Sequence, residues 1–252
     1  MIFFTDLDNT IIYSYKHDIG KQKRNVELYQ GREISFITNR TYELLCKARK
    51  SMTIVPISTR TIEQYNRIDL GTGTFSHALV CNGGILLVNG ERDKKWYDTS
   101  LEMIAESVND LKKALNYLEN DIRRTFELRF IESLFVFTKC EEPESVVGDL
   151  KHILNSQIVD VFNNGTKIYV VPKALSKGNA VNRYLKWNKN EKTIAAGDSE
   201  FDISMLRCTD IGICPVGFVK EFDIDFAVCE MPGIKVFSEE LLEECLKEAE
   251  AT

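Results

Sequence analysis

The sequence predicts an α/β protein in which a parallel sheet covered by helices is interrupted by a second, α+β domain. Three observations predict it. Short apolar runs recur along the chain, each ending in a polar cluster. Helix-like segments lie between several of them. From about residue 90 to 170 the order changes to helix, strand, strand, helix, strand, strand. Short apolar runs flanked by turn chemistry suit strands buried on both faces. Strands that alternate with helices imply a parallel sheet with helices on both sides.

The elements follow in order. Phe3-Phe4 ends at Thr5-Asp6. Tyr13, Tyr15, Lys16 and His17 come next, and read either as the lining of an entrance or as an ordinary surface loop. A helix is expected at about 40–50, then a strand, Thr53–Ile57, ending at Ser58-Thr59-Arg60. A helix at 61–68 leads to the Ala78–Cys81 strand and the Asn82-Gly83-Gly84 turn. The insert opens on a long helix, 99–119, with Leu101, Ile104, Ala105, Val108, Leu111, Leu115 and Leu118 near one face. Strands Thr125–Phe130 and Leu134–Thr138 and a helix at 144–155 follow. Ile158–Phe162 and Lys167–Val171 flank Asn163-Asn164-Gly165 as a hairpin. The first pattern then resumes: a helix at 177–187, the Thr193–Ala196 strand ending at Gly197-Asp198, a helix at 200–207, and strands Ile211–Cys214 and Phe226–Cys229. A last amphipathic helix, Ser238–Ala251, carries Leu241, Leu242, Cys245 and Leu246 and is expected to pack on the core. The domain expectation is a core of 1–86 and 172–252 around an insert of 87–171.

Composition narrows the class of function. The chain has 252 residues, 44% hydrophobic and 28% charged, as in an ordinary globular protein. A net charge of −6 argues against a nucleic-acid partner or an acidic membrane surface, because phosphate backbones are bound by basic patches. It leaves room for a small phosphorylated substrate, which needs only a few local donors. No apolar run reaches the roughly 18 residues of a membrane span. Met1 runs straight into Ile2-Phe3-Phe4 with no basic leader, so no signal peptide is expected. Seven cysteines with no C-x-x-C pair read as reduced thiols of a cytoplasmic protein. His17, His77 and His152 have no zinc-like spacing to them. The oligomeric state is not legible.

Four constellations carry chemistry, each at an element end, where polar residues of parallel sheets collect. Asp6-Leu7-Asp8-Asn9-Thr10 follows the first strand; one aspartate can attack phosphorus and bind a cation while the other donates a proton. Alone, it equally suits a turn with an N-capping aspartate. Ser58-Thr59-Arg60 offers a hydroxyl and backbone N–H groups for an anion, or a simple N-cap. Lys177 opens a helix, where a cation opposes the dipole unless it holds a phosphate or carboxylate; a solvated lysine is the plain alternative. Gly197-Asp198-Ser199-Glu200-Phe201-Asp202 offers a tight turn and two hard oxygen ligands for Mg2+, or an Asp198 N-cap.

In order and spacing these motifs resemble the haloacid dehalogenase (HAD) superfamily of phosphohydrolases, over about residues 1–230. The pattern is most similar to its Cof-like and sucrose-phosphatase-like branch, and Asn82-Gly83-Gly84 resembles that branch's turn before the cap. The resemblance implies a Rossmann-like parallel-sheet core with an inserted α+β cap. It implies a Mg2+-dependent phosphomonoesterase of a small phosphorylated metabolite, a sugar phosphate, working through an aspartyl-phosphate. Asp6 would be the nucleophile and Asp8 the acid and then the base. Ser58 and Lys177 would hold phosphoryl oxygens, with Thr10, Thr59, Arg60, Asn82 and Gly83 as further phosphate or substrate contacts. Mg2+ would sit on Asp6, the Asp8 carbonyl and Asp198, with Asp202 orienting the shell or the lysine.

Two positions depart from the branch. Phe201 stands where it carries Asn, which leaves one metal contact to Ser199 or a water. Thr59 replaces the glycine of a Thr-Gly-Arg pattern, and Arg60 reads as a substrate contact or a structural salt bridge. In the cap, Arg123, Arg124, Arg129, Lys139 and Lys167 are the candidate polar contacts. Two other functions fit the same pattern: a phosphosugar mutase of the superfamily, and a non-catalytic ligand-binding protein on the same scaffold.

Overall fold

All four residues of the Ile2–Thr5 strand are buried. In the computed structural model, which describes residues 1–187 and 191–251, this strand pairs in parallel with Thr193–Ala196 on one side and Thr53–Pro56 on the other. Ile211–Cys214 and then Cys229–Glu230 extend the sheet in parallel beyond Thr193–Ala196. The continuous apolar runs of the sequence are therefore strands with no solvent-facing side. The register sets Thr5 beside both Ala196 and Pro56. Consequently Asp6, Ile57-Ser58 and Gly197-Asp198 leave the same edge of the sheet. Backbone bonds carry the ladder one step further, from Asp6 N–H to the Ala196 carbonyl (2.9 Å) and from Ile57 N–H to the Thr5 carbonyl (2.7 Å).

The chain divides into two units, Met1–Asp93 with Lys177–Thr252, and Lys94–Ser176. In the first unit, helix Asn39–Ser51 is capped by the Thr38 hydroxyl, which accepts from Thr41 N–H. It packs on the last helix, Phe237–Glu250: Leu44, Leu45, Leu241, Leu242 and Cys245 share one buried cluster, and the Thr41 and Ser238 hydroxyls meet at 2.7 Å. The amphipathic face of the last helix is thus spent on the core, as its pattern predicts.

Three expectations for this unit are corrected. Ala78–Cys81 is not a strand of the parallel sheet. His77–Val80 forms an antiparallel hairpin with Ile85–Val88, and meets the end of the parallel sheet through the Ile57–Leu79 bridge and the bond from Ser58 N–H to the Leu79 carbonyl. Of Phe226–Cys229 only Cys229 joins a strand, Cys229–Glu230. Tyr15, Lys16 and His17 form an exposed turn, but Tyr13 does not belong to a surface loop: Tyr13–Ser14, Lys23–Tyr29 and Arg32–Thr38 form a three-stranded antiparallel sheet. Tyr13 is buried within it. Its hydroxyl donates to the Thr10 carbonyl and accepts from Ser238 N–H, so it ties the loop to the last helix.

The second unit is a four-stranded antiparallel sheet, ordered Val159–Asn164, Lys167–Pro172, Phe135–Lys139, Arg129–Ile131, with helices Lys94–Met103, Val108–Glu119 and Pro143–Ile153. The expected 99–119 helix is two helices. The break lets Ile104 and Ser107 turn inward, and the Ser107 hydroxyl bonds the Ile158 carbonyl. Of the expected Thr125–Phe130 strand only Arg129-Phe130 is strand, within Arg129–Ile131; upstream, the Phe126 and Glu127 carbonyls accept from the Thr138 hydroxyl. Among the described residues, no helix is long and apolar enough to cross a membrane.

Candidate active site

Asp6 sits at the end of the central strand, 6% exposed. Lys177, the first residue of helix Lys177–Leu185, is 1% exposed, and its ammonium donates to Asp6 Oδ1 and to Asp202 Oδ1. Its place at a helix start, unfavourable for a cation, is offset by these two carboxylates. They hold Lys177 charged: burial works against the ammonium, but Asp202 and Asp6 outweigh it and raise its pKa. Burial likewise raises Asp6 well above its usual range. Lys177 pulls it back down, while Asp202, Asp198 and Asp8 add to the rise.

Asp202 has no exposed surface and both of its oxygens are engaged. Oδ2 accepts from the Asp198 and Ser199 N–H groups (3.0 Å each) and from the Ser199 hydroxyl (2.8 Å). This bonding shapes the loop that presents Asp198. Two glycines make it sterically possible. A Cβ on Gly197 would lie 2.3 Å from Asp202 Cβ, and one on Gly178 would lie 2.4 Å from the Ser204 carbonyl oxygen. The Gly178 N–H also donates to the Ser204 hydroxyl, which fixes the start of the Lys177 helix against the Asp202 segment.

Asp6, Asp198 and Asp202 each offer a carboxylate oxygen within 4.8 Å of the others, the group of acidic side chains best placed for a cation among the described residues. Asp198 is raised to about 7, chiefly by burial and next by the Asp202 charge. Thr10 does not face outward to a ligand: its buried hydroxyl donates to Asp198 Oδ1 (3.1 Å). The loop that carries Asp8 and Thr10 folds back on the Leu7 carbonyl, which accepts from Ile11 and Ile12 N–H, with Asn9 at positive φ.

Ser58 is buried on the neighbouring strand end. The hairpin turn holds it: Ser58 N–H donates to the Leu79 carbonyl, Asn82 N–H to the Ser58 carbonyl, and Cys81 N–H to the Arg60 carbonyl. Cys81, Asn82 and Gly83 all have positive φ, so this turn is tight. Thr59 is half-buried beside it. Asp8 lies apart from the acidic trio, its side chain half-exposed. Arg60 grips it on two bonds, Nε to Oδ2 (2.7 Å) and Nη2 to Oδ1 (2.8 Å). The same guanidinium holds Glu27 through Nη1 (2.8 Å) and Nη2 (2.9 Å), and Nη1 also reaches the Gln64 carbonyl. These bonds use all five of its N–H groups, so here Arg60 serves protein carboxylates and not a substrate.

Motif reading passes over Glu27, Arg67 and Ser204, and gives no role to Gly178 beside Lys177. The available signal near Glu27 was Gln30-Gly31, a two-residue hairpin turn with both residues at positive φ.

The family model described as haloacid dehalogenase-like hydrolase matches residues 3–215. The chain belongs to that family. No curated protein matches this hydrolase in sequence. Solved structures match its fold along nearly the whole length. The sucrose-phosphatase of Synechocystis sp. PCC6803, solved with sucrose and phosphate, has a TM-score of 0.68 at 15% identity, covering 99% of this chain and 98% of its own. The trehalose-6-phosphate phosphatase of Aspergillus fumigatus has a TM-score of 0.58 at 9% identity, covering 100% and 92%. A HAD-superfamily phosphatase of Bacteroides thetaiotaomicron has a TM-score of 0.57 at 14% identity, covering 100% and 95%. At these identities the likeness is one of fold.

Proposed function

We propose that this hydrolase is a Mg2+-dependent phosphomonoesterase of a small phosphorylated metabolite, working through an aspartyl-phosphate on Asp6. The observation that carries the proposal is the buried contact of Lys177 with Asp6 and Asp202, with Asp198 alongside. A fixed cation beside a carboxylate at a strand end suits a reaction whose main demand is charge stabilisation and in-line positioning. The sugar-phosphate class is supported by the fold neighbours, which include phosphatases named for sucrose and for trehalose 6-phosphate.

An Asp6 carboxylate oxygen attacks phosphorus, the ester P–O bond breaks, and the leaving oxygen takes a proton from Asp8. Asp8, now a carboxylate, takes a proton from water as the water oxygen attacks phosphorus. The P–O bond to Asp6 then breaks and inorganic phosphate leaves. Ser58 Oγ and Lys177 Nζ hold phosphoryl oxygens through both steps. Thr59 and the Asn82-Gly83 turn, next to Ser58, are the remaining substrate contacts. Thr10 and Arg60 act instead by holding Asp198 and Asp8.

A hard dication fits the residues present. Asp6 and Asp198 are both pushed toward protonation by burial and by neighbouring carboxylates, a repulsion that a cation relieves. Asp6, Asp198 and the Asp8 carbonyl would hold it, whereas Asp202 is already engaged by Lys177 and the loop. Bound there, Mg2+ would neutralise charge on the phosphoryl oxygens. Mg2+ is expected to raise the Tm of the wild type and not that of Asp198→Asn, because only binding to the folded state stabilises. The seven cysteines, none of them in a C-x-x-C pair, support a cytoplasmic setting.

The test is phosphate release, with Mg2+, from sugar phosphates, nucleotides and cofactor phosphates. Asp6→Asn is expected to lower turnover by at least about 10⁴-fold. Release from no member of the panel, or full turnover by Asp6→Asn, would sink the proposal.

A further inference from the structure

We propose that Glu27 is a positioning residue for the acid–base step: it fixes the guanidinium of Arg60, and through it the carboxylate of Asp8. The role given to Asp8 rests on the phosphatase reading above; the geometry of the relay does not.

Glu27 is a carboxylate with no exposed side-chain surface. A charge is stable in such a place only when it is paired and hydrogen-bonded. Its four acceptor positions are filled. Oε1 accepts from Arg60 Nη1 (2.8 Å) and Arg67 Nε (3.2 Å), and Oε2 accepts from Arg60 Nη2 (2.9 Å) and the Ser35 hydroxyl (2.6 Å). Arg60 is therefore clamped along two edges of its planar fork, by Glu27 on one and by Asp8 on the other. A planar fork bound bidentately on both edges keeps one orientation. Among the described residues Arg60 bonds both the buried Glu27 and the half-exposed Asp8, so the orientation of one constrains that of the other.

The backbone at Glu27 is an independent pointer. The hairpin ladder between Lys23–Tyr29 and Arg32–Thr38 shifts register on both sides of Glu27. Asn25 fills the gap, its side-chain amide donating to the Glu27 and Ser35 carbonyls (3.0 Å each). An irregularity of this kind re-aims one side chain, and such bulges gather beside active sites. A bridge from Glu27 to Ile68 and a bond from Asp69 N–H to the Val26 carbonyl anchor the bulge to the segment that carries Arg67. The hairpin thus delivers a buried charge to the back of Arg60 with little freedom to move.

A purely structural ion cluster would look similar but behave differently. Losing it would lower the folded fraction and slow all substrates alike. Losing a positioning residue of the proton donor slows esters whose leaving group needs a proton, and spares those whose leaving group does not. The experiment compares wild type with Glu27→Gln, which keeps the side chain's shape, on an alkyl phosphate and on p-nitrophenyl phosphate, at matched folded fraction. The expected result is a fall in kcat of about 10²-fold on the alkyl ester, with KM little changed, and less than about threefold on the aryl ester. Equal losses on both, or none on either, overturn the proposal. A second arm follows the Arg60 Nε–H resonance by NMR. It is expected to be sharp and protected in wild type, and to shift and exchange faster in Glu27→Gln. An unchanged resonance overturns the relay. If wild type releases phosphate from neither ester nor from any member of the panel above, the phosphatase reading fails, and the Arg60 resonance still decides whether Glu27 holds the fork.

Discussion

Lys177 places a buried ammonium between Asp6 and Asp202, and each of the three needs the others. Removing one partner of a buried ionic cluster leaves charge uncompensated, which costs more than the cluster contributes. Lys177→Met is therefore expected to destabilise the metal-free protein by about 3–5 kcal/mol, measured by urea denaturation; a change within error would show that water already screens the carboxylates. Glu27 gives a pH dependence of opposite origin. Burial works to raise its pKa, but the Arg60 and Ser35 hydrogen bonds and the Arg60 and Arg67 charges outweigh it, and the net shift is downward from 4.5. A depressed carboxylate adds stability that is fully present above its unfolded pKa and is lost as pH falls through the folded one. Wild type should thus exceed Glu27→Gln in stability at pH 7, with the gap narrowing only below about pH 4.5. A gap that is constant from pH 7 to 3 would contradict the ionised state of Glu27. Sequence alone brought Asp6, Ser58, Lys177 and Asp198 forward because each stands just past an apolar run or at a helix start. It was silent on Glu27, because a carboxylate in a polar-rich hairpin looks solvated until tertiary packing closes over it.

Among elements, the last helix carries weight beyond its own packing. Leu242 has no exposed surface and lies in the cluster with Leu44 and Leu45, while Ser238 at the helix start bonds Tyr13, which bonds the Thr10 carbonyl. Leu242→Ala is expected to cost about 2–5 kcal/mol by thermal or chemical melting, and a loss under about 1 kcal/mol would mean that the helix is not integral to this core. The parallel strands were legible because burial on both faces leaves an unbroken apolar run. The hairpin at Lys23–Tyr29 and Arg32–Thr38 was not, because its strands alternate weakly and carry Lys, Arg, Asn and Glu. The divided helix at Ile104 was hidden for another reason: its two halves keep one helical period, and only packing of Ile104 and Ser107 breaks it. Likewise His77–Val80 is apolar enough for the parallel sheet, and nothing in its composition reports that the Cys81–Gly84 turn sends the chain straight back.

At the scale of the whole molecule, the segment Lys94–Ser176 is continuous in sequence and has its own buried residues, among them Leu111, Leu118, Val136, Val146, Leu150, Ile168 and Val170. Expressed alone, residues 94–176 are expected to melt cooperatively and to show mixed helix and sheet by circular dichroism. A gradual, featureless melt would show that this core is insufficient by itself. The other unit is built from both ends of the chain, and this has a consequence for its birth on the ribosome. Ile2–Thr5 is made well before one of its two sheet neighbours, Thr193–Ala196, and the helix that seals Asn39–Ser51 is later still. Synthesis adds about 5–20 residues per second, so an apolar strand and an apolar helix face wait many seconds for partners while the contiguous segment can already close. Until those partners are made, the apolar surface left open on the nascent chain is that of Ile2–Thr5 and of the inner face of Asn39–Ser51.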